Sequence, residues 1–457
     1  MKMLLINPPI REWAKPNCFP TGLGYIAAVL LKNGFEVEVL DINGYRLTKE
    51  EVEKKIRDAR FDVAGIGGIV TTYKYVKWLV PILKKYHPDK KVIVGGSVAT
   101  SIPHIMMEKN PVDILCIGEG EVTAPELMTA LEKNSDLSGV KGIWYRDKSG
   151  NIVKTERRPI LNDLDVLPFP AWDLFPMDVY LKNPVGAINR NKWIDGSAEN
   201  ATLSMNLFAT RGCPYQCIYC YHDFMGDVYR HRSAENVVSE IEYLYNKHKI
   251  PYFHFIDDEF IMDKKFVYRF CELMNELSEK VNQKIAWGCT ARVNLVTEHL
   301  VKTMADAGCL ALGYGIETGS QKMLDMIKKN VTVEQAKYAI NISQKYMGWA
   351  SCAFMIGYPG ETRETIQETI DFCKEVNLTP QVFFFITPYP GTELYRMAMA
   401  QGRIKDEEKY VLGLGEQGEK ININFTDFSD EELMKIQEDM VKELNAWNKI
   451  KHVEVKS

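Results

Sequence analysis

Nowhere in the 457 residues does an apolar run reach the roughly 18 uninterrupted residues of a membrane span. The opening MKMLLINPPI has too short an apolar stretch, too soon broken by Pro8 and Pro9, for a secretory signal. Positive charge is not in excess either. The formal net charge of −5 argues against a broad surface for nucleic acid and against a large nucleic acid as partner, leaving room only for a local basic patch. Low-complexity and disorder-type segments are also missing. These absences lead to the expectation of a cytoplasmic protein, and the length of 457 residues to that of about two or three domains.

Clustered cysteine is scarce. Of ten cysteines, Cys18, Cys116, Cys271, Cys289, Cys309, Cys352 and Cys373 stand singly, so no disulfide framework is expected. No C-x₂-C pair occurs outside residues 213–220, which argues against an auxiliary metal cluster.

What is present is a long alternation of strand and helix patterns. Strands are predicted at Lys2–Ile6, in FEVEVLDI, at Val63–Ile66, in KVIVGG and at Ile114–Gly118, with helices over Pro20–Lys32 and Lys74–Tyr86. Such alternation predicts an α/β, Rossmann-like parallel sheet with helices on both faces, over residues 1–140. Ligands of these sheets bind beyond the strand carboxyl ends, which here are Asn7–Pro9, Asp41–Gly44, Gly65–Thr72, Gly95–Thr100 and Gly118–Glu121. A dinucleotide fingerprint is not supported, because Gly65-Ile66-Gly67-Gly68 lacks the next glycine in register.

Residues 141–200 read as a linker that begins like a hairpin (GIWYRDKSGNIVK) and continues through LPFPAWDLFP. Residues 181–200 show no periodicity and read equally as a lid or as a plain surface excursion. Six further strands are predicted over 201–400, at Leu203–Ala209, Tyr252–Ile256, Ile285–Thr290, Leu310–Gly315, Cys352–Ile356 and Gln381–Phe385. Helical patterns separate them at Asn236–Lys247, Lys264–Lys280, Thr297–Ala307, Val333–Tyr346 and Thr362–Val376. A partial (β/α)₆ barrel is the natural closure, its site at the strand carboxyl ends. Residues 401–457 read as a helical extension, with an amphipathic helix over Asp430–Asn448 covering one barrel edge.

Just after the first of these strands the chain reads Thr210-Arg211-Gly212-Cys213-Pro214-Tyr215-Gln216-Cys217-Ile218-Tyr219-Cys220. Thiolates select iron–sulfur clusters and zinc. Structural zinc wants four ligands, and the adjacent His222 is the available fourth, so that alternative stays open. Three cysteines on a cubane would leave one iron free for a substrate chelate.

The C-x₃-C-x₂-C spacing, with aromatic Tyr219 before the third cysteine, resembles the radical S-adenosylmethionine superfamily. The resemblance implies a [4Fe-4S] cluster on Cys213, Cys217 and Cys220 and a 5′-deoxyadenosyl radical made from S-adenosylmethionine. Further stretches resemble the family at successive strand ends: FIDDEF, WGCTARVN, GYGIETGSQKMLDMIKK, FMIGYPGET and TPYPGTELY. They imply S-adenosylmethionine contacts at Tyr219, Asp257, Asp258, Glu259, Arg292, Glu317 and Gly357. Tyr221, His222 and Tyr314 lie beside this region and read as packing or support.

NPP, PTGLGYIAAVLLKNGFEVEVLDING, VGGSVAT and GEGE together resemble the cobalamin-binding class of that superfamily. This implies cobalamin at Asn7, Pro8, Asp41, Asn43, Gly67, Thr71, Gly95, Gly96, Gly118 and Glu119. The D-x-H-x-x-G motif of mutase-type domains is replaced by Asp41-Ile42-Asn43-Gly44, so a histidine lower ligand from this motif is excluded. A domain serving only as scaffold is the other reading. The implied activity is cobalamin-dependent methylation of an unactivated carbon. The alternatives are a radical dehydratase, epimerase, cyclase or other rearranging enzyme, and a non-catalytic sensor. The implied partners are a small-molecule, lipid, sugar or peptide substrate and an electron donor such as flavodoxin or ferredoxin.

Overall fold

The computed structural model describes residues 1–11, 16, 18–182, 203–348, 350–414 and 420–454. Most of the expectation for 181–200 therefore lies outside the described residues; Leu181 and Lys182 end a short helix, Met177–Lys182.

The first sheet contains β1 (Lys2–Asn7), β2 (Glu36–Asp41), β3 (Val63–Gly67), β4 (Lys91–Gly95), β5 (Ile114–Cys116), β6 (Ile143–Arg146) and β7 (Ile152–Lys154), in the order β2-β1-β3-β4-β5-β6-β7. The first five are parallel. The apolar runs of β1, β3, β4 and β5 follow from burial on both faces, as with Met3, Leu4, Leu5 and Ile6, while β2, at the sheet edge, alternates. The order reverses direction at β1, which opens a crevice at the carboxyl ends of β1 and β3.

Two features depart from the sequence reading. The hairpin expected to begin the linker instead adds β6 and β7 antiparallel to the β5 edge. An unforeseen helix, Lys49–Asp58, buries only Val52 and Ile56; a Thr48/Glu51 capping box closes its start.

The second sheet contains β8 (Ser204–Leu207), followed after the short β9 (Thr210–Arg211) and β10 (Arg230–His231) by β11 (Tyr252–Phe255), β12 (Ala286–Ala291), β13 (Cys309–Glu317), β14 (Ser351–Ile356) and β15 (Phe384–Phe385). Its order is β15-β14-β13-β12-β11-β8, and every pairing is parallel. Helices Ala234–His248, Lys264–Lys280, Glu298–Asp306, Val333–Met347 and Arg363–Glu375 connect the strands. This is the expected partial barrel, a curled parallel sheet in which β8 and β15 do not pair.

Two predicted strands change. The one at 203–209 shortens to the four residues of β8, and just beyond it β9 pairs antiparallel with β10. The one at 381–385 shrinks to the two residues of β15.

Alternation sorts the side chains of the second sheet. Leu207, Phe253, Phe255, Trp287, Cys289, Leu312, Tyr314 and Phe354 point into the helix-packed core. The opposite face carries Asn206, Tyr252, His254, Gly288, Thr290, Gly313 and Gly315, a small and polar inner wall. The final helix, Asp430–Glu454, buries Leu433, Ile436, Met440 and Leu444, each worth roughly 2 kcal/mol. Gln437 Nε2 donates to the Phe383 carbonyl at 2.5 Å, which seats this helix beside β15. Among the described residues, no helix is long and apolar enough to cross a membrane.

Candidate functional site

The cysteine segment leaves the second sheet through a fixed turn. The Asp257 carboxylate, at the end of β11, accepts from the Ala209 and Thr210 amides at 2.8 and 2.6 Å. Gly212 has φ +79°, and a Cβ there would run into the Val228 carbonyl, so only glycine fits. Further on, the Ile218 amide donates to the Ile327 carbonyl (3.1 Å) and the Leu394 amide to the Ile218 carbonyl (2.8 Å).

Cys213 is half-buried, Cys217 buried and Cys220 exposed, and all three are unbridged. A hydrogen bond from Cys220 holds the Cys217 thiol below its ordinary range, assisted by the Lys329 and Arg292 cations. Arg292 Nη1 lies 3.7 Å from Cys217 Sγ. The same bond pushes Cys220 up, and burial pushes Cys213 up. Among the described residues, no three His, Cys, Asp or Glu side chains converge on a point that would hold a single ion. His222, the fourth ligand of the zinc alternative, forms no such group with the cysteines; its Nε2 is buried without a partner. Three soft sulfur donors within one short segment beside two cations fit a cluster that carries net negative charge.

Around this segment the structure gathers several predicted residues. Tyr219 Oη donates to Glu317 Oε1 at 2.9 Å, and Lys329 Nζ donates to both, at 3.0 and 2.9 Å. Glu317 ends β13 at φ +69°, a backbone region that non-glycine residues seldom adopt and that clusters at functional sites. Arg292 stacks over Tyr215, with its guanidinium 3.5 Å from the ring centre, and donates to the Lys329 carbonyl.

The acidic run divides. One Asp257 oxygen is used by backbone amides and the other is buried without a partner. Asp258 is exposed. Glu259 is buried; its Oε1 accepts from the Ile261 amide, its Oε2 has no partner, and burial pushes its carboxyl up to about 7. The Gly357 amide donates to Glu361 Oε2 at 2.6 Å. Lys329 and Glu361 are site residues that the sequence motifs do not mark individually. Lys329 closes the GYGIETGSQKMLDMIKK stretch, and Glu361 follows Gly360, so both lay within recognised segments.

On the other side, a cavity of about 420 Å³ opens at the carboxyl ends of the first sheet. Asn7, Pro8, Asn43, Gly67, Gly95, Gly96, Gly118 and Glu119 line it. Asp41 and Thr71 do not. The Asp41 carboxylate already accepts from the Gly44 amide (2.7 Å), Asn7 Nδ2 (2.8 Å) and Tyr180 Oη (2.7 Å), and Thr72 takes the lining position beside Thr71. Glycine keeps the space open: Gly96 has φ +84°, and a Cβ there would strike the Gly68 carbonyl. Backbone so bared suits a large planar ligand with amide fringes, and cobalamin fits that description. The far wall comes from the turns and short β9 beside the second sheet: Phe208, Arg211, Phe224, Met225 and Ile256, which flank the cysteine segment and the end of β11.

Residues 207–373 match the radical SAM superfamily and residues 10–128 match the B12 binding domain. An uncharacterized methyltransferase of Pyrococcus horikoshii is 30% identical over 411 residues, covering 88% of this chain and 83% of that one. An anaerobic magnesium-protoporphyrin IX monomethyl ester cyclase of Rubrivivax gelatinosus is 28% identical, covering 90% and 72%. Among solved structures, the radical S-adenosylmethionine methyltransferase TsrM of Kitasatospora setae, with tryptophan substrate and a SAM analog bound, superposes with a TM-score of 0.70. It is 19% identical and covers 88% of this chain and 76% of that one, which speaks to the shared fold.

Proposed function

Because the chain belongs to the radical S-adenosylmethionine superfamily and carries a B12 binding domain, with a [4Fe-4S] cluster, S-adenosylmethionine and cobalamin as its cofactors, we propose that it methylates an unactivated carbon. The observation that carries this reading is the shared cavity. Its floor is the strand ends of the first sheet, and its roof is Phe208, Arg211, Phe224, Met225 and Ile256, next to the cysteines. Two reactive centres so placed would face one substrate.

In this reading Cys213, Cys217 and Cys220 hold the cluster, and the glycine-rich loops hold cobalamin. When bound, these groups supply the electron that splits S-adenosylmethionine and the methyl group to be delivered. The chain's own residues bind and orient. Arg292 and Lys329 supply positive charge for a carboxylate, while Glu317, Glu259 and Asp258 supply acceptors for an ammonium or for ribose hydroxyls. The inner wall formed by Asn206, Tyr252, His254 and Thr290 admits a polar substrate of small-molecule, lipid, sugar or peptide type.

A second reading, radical cyclisation or rearrangement without methyl transfer, is favoured by the cyclase relative. Anaerobic reconstitution with S-adenosylmethionine, dithionite and cobalamin separates the two. Methylation yields 5′-deoxyadenosine and S-adenosylhomocysteine together. Deoxyadenosine alone would favour rearrangement. Cys→Ala at 213, 217 or 220 should abolish the brown chromophore and both products; a chromophore that persists in all three variants would overturn the ligand assignment.

A further inference from the structure

Between the two sheets, the buried carboxylate of Glu119 accepts four hydrogen bonds. Arg211 Nη1 donates to Oε1 at 2.9 Å, and Arg230 Nη1 donates to Oε1 and Oε2 at 3.0 and 2.9 Å. The Leu161 amide donates to Oε2 at 3.0 Å. Arg211 Nη2 reaches on to Glu121 Oε1 at 2.6 Å, and Arg230 Nη2 donates to the Met225 carbonyl at 2.7 Å. The side chains of Glu119, Glu121, Arg211 and Arg230 are 4–9% exposed.

The chain positions of these groups give the network its meaning. Glu119 and Glu121 follow β5 and line the cavity. Arg211 stands two residues before Cys213, and Met225, also a lining residue, stands five after Cys220. One carboxylate therefore ties the cavity floor to both ends of the cysteine segment. Mere adhesion between two sheets does not call for this arrangement. Removing four charges from water costs several kcal/mol per ion, and apolar packing would join the surfaces with less desolvation. What an oriented ionic network adds is a fixed register between the parts that it joins.

We propose that Glu119 is a positioning residue through which the cavity and the cysteine segment are coupled, so that filling either site tightens the other. The inference rests on the reading that the cavity takes cobalamin and the cysteines take the cluster. Coupling of this kind is reciprocal: the factor by which cluster loading improves cobalamin affinity equals the factor by which cobalamin improves cluster affinity.

Hydroxocobalamin is titrated anaerobically into cluster-loaded and cluster-free protein, for the natural chain and for Glu119→Gln. Loss of the cluster to a chelator is followed with and without hydroxocobalamin. The natural protein should bind hydroxocobalamin at least about 5-fold tighter when loaded. In Glu119→Gln that ratio should fall to near 1, and hydroxocobalamin should no longer protect the cluster. A ratio near 1 in the natural protein overturns the proposal. So does a ratio unchanged in Glu119→Gln, even if both affinities or the melting temperature fall, since that is the signature of simple adhesion. If Glu119→Gln does not fold, Glu121→Gln, which removes only the outer Arg211 contact, should lower the ratio partway; an unchanged ratio there overturns the coupling. Failure of the natural protein to bind hydroxocobalamin both with and without its cluster overturns the functional reading itself and the coupling with it.

Discussion

The space beyond the first sheet is kept open by what side chains are not there: Gly67, Gly95, Gly96 and Gly118 form its rim, and only a few polar groups face it. At the mouth of the second sheet the opposite holds. Arg292, Lys329, Glu317, Tyr219 and Glu259 crowd around the cysteine segment, and most of them contact one another. A site shaped by bare backbone tolerates an occupant of many contacts and little charge. A site shaped by ionised groups selects by charge and is vulnerable to the loss of any one member.

The largest stability effect should come from the charged region. Lys329→Met leaves Glu317 buried without its cation and should cost about 3–5 kcal/mol in denaturant unfolding. Adding Glu317→Gln should recover a large part; a double variant no better than the single would show that the pair is not the reason. Next comes Glu361, whose carboxyl is pushed up to about 7 by burial, against an ordinary 4.5. The fold thus prefers the protonated acid. The stability it contributes is fully present below pH 4.5 and is lost as pH rises through about 7, a decline of ~3 kcal/mol. Glu361→Gln should flatten that decline between pH 5 and 8.5, and parallel unfolding curves for the two proteins would refute it. The smallest effect belongs to the glycine-rimmed region. Tyr180→Phe removes the 2.7 Å hydrogen bond that the hydroxyl donates to Asp41 and the 3.3 Å one that it accepts from Asn7, and should cost about 2 kcal/mol. A loss as large as that of Lys329→Met would erase the contrast between the two regions.

The difference also governed what could be read in advance. The cysteine spacing and the strand-end motifs announced the charged mouth, because three cysteines at metal-ligand spacing name their chemistry and the motifs recur in order at successive strand ends. Strand patterns alternating with helical ones announced both sheets; in the first, the inner strands are buried on both faces and carry uniform apolar runs. Lys329 escaped because its role depends on the chain doubling back to Glu317, twelve residues earlier, which spacing alone does not disclose. Asp41, at the end of β2, is expected from sequence at the cavity, but its carboxylate is claimed by Asn7, Gly44 and Tyr180, and Tyr180 lies far along the chain. The attachment of β6 and β7 to the first sheet was hidden likewise, since a hairpin pattern fixes local pairing and says nothing of which edge receives it.

The gap between β8 and β15 gives the half-barrel a mechanical character that a closed one would lack. A complete ring can widen only by breaking ladder bonds somewhere along its circumference. Here the seam is already unstitched, so a bulky guest can spread the rims while every strand pairing from β8 through β14 survives. Widening at that edge therefore asks no ladder bond of the sheet from which the cysteine segment leaves.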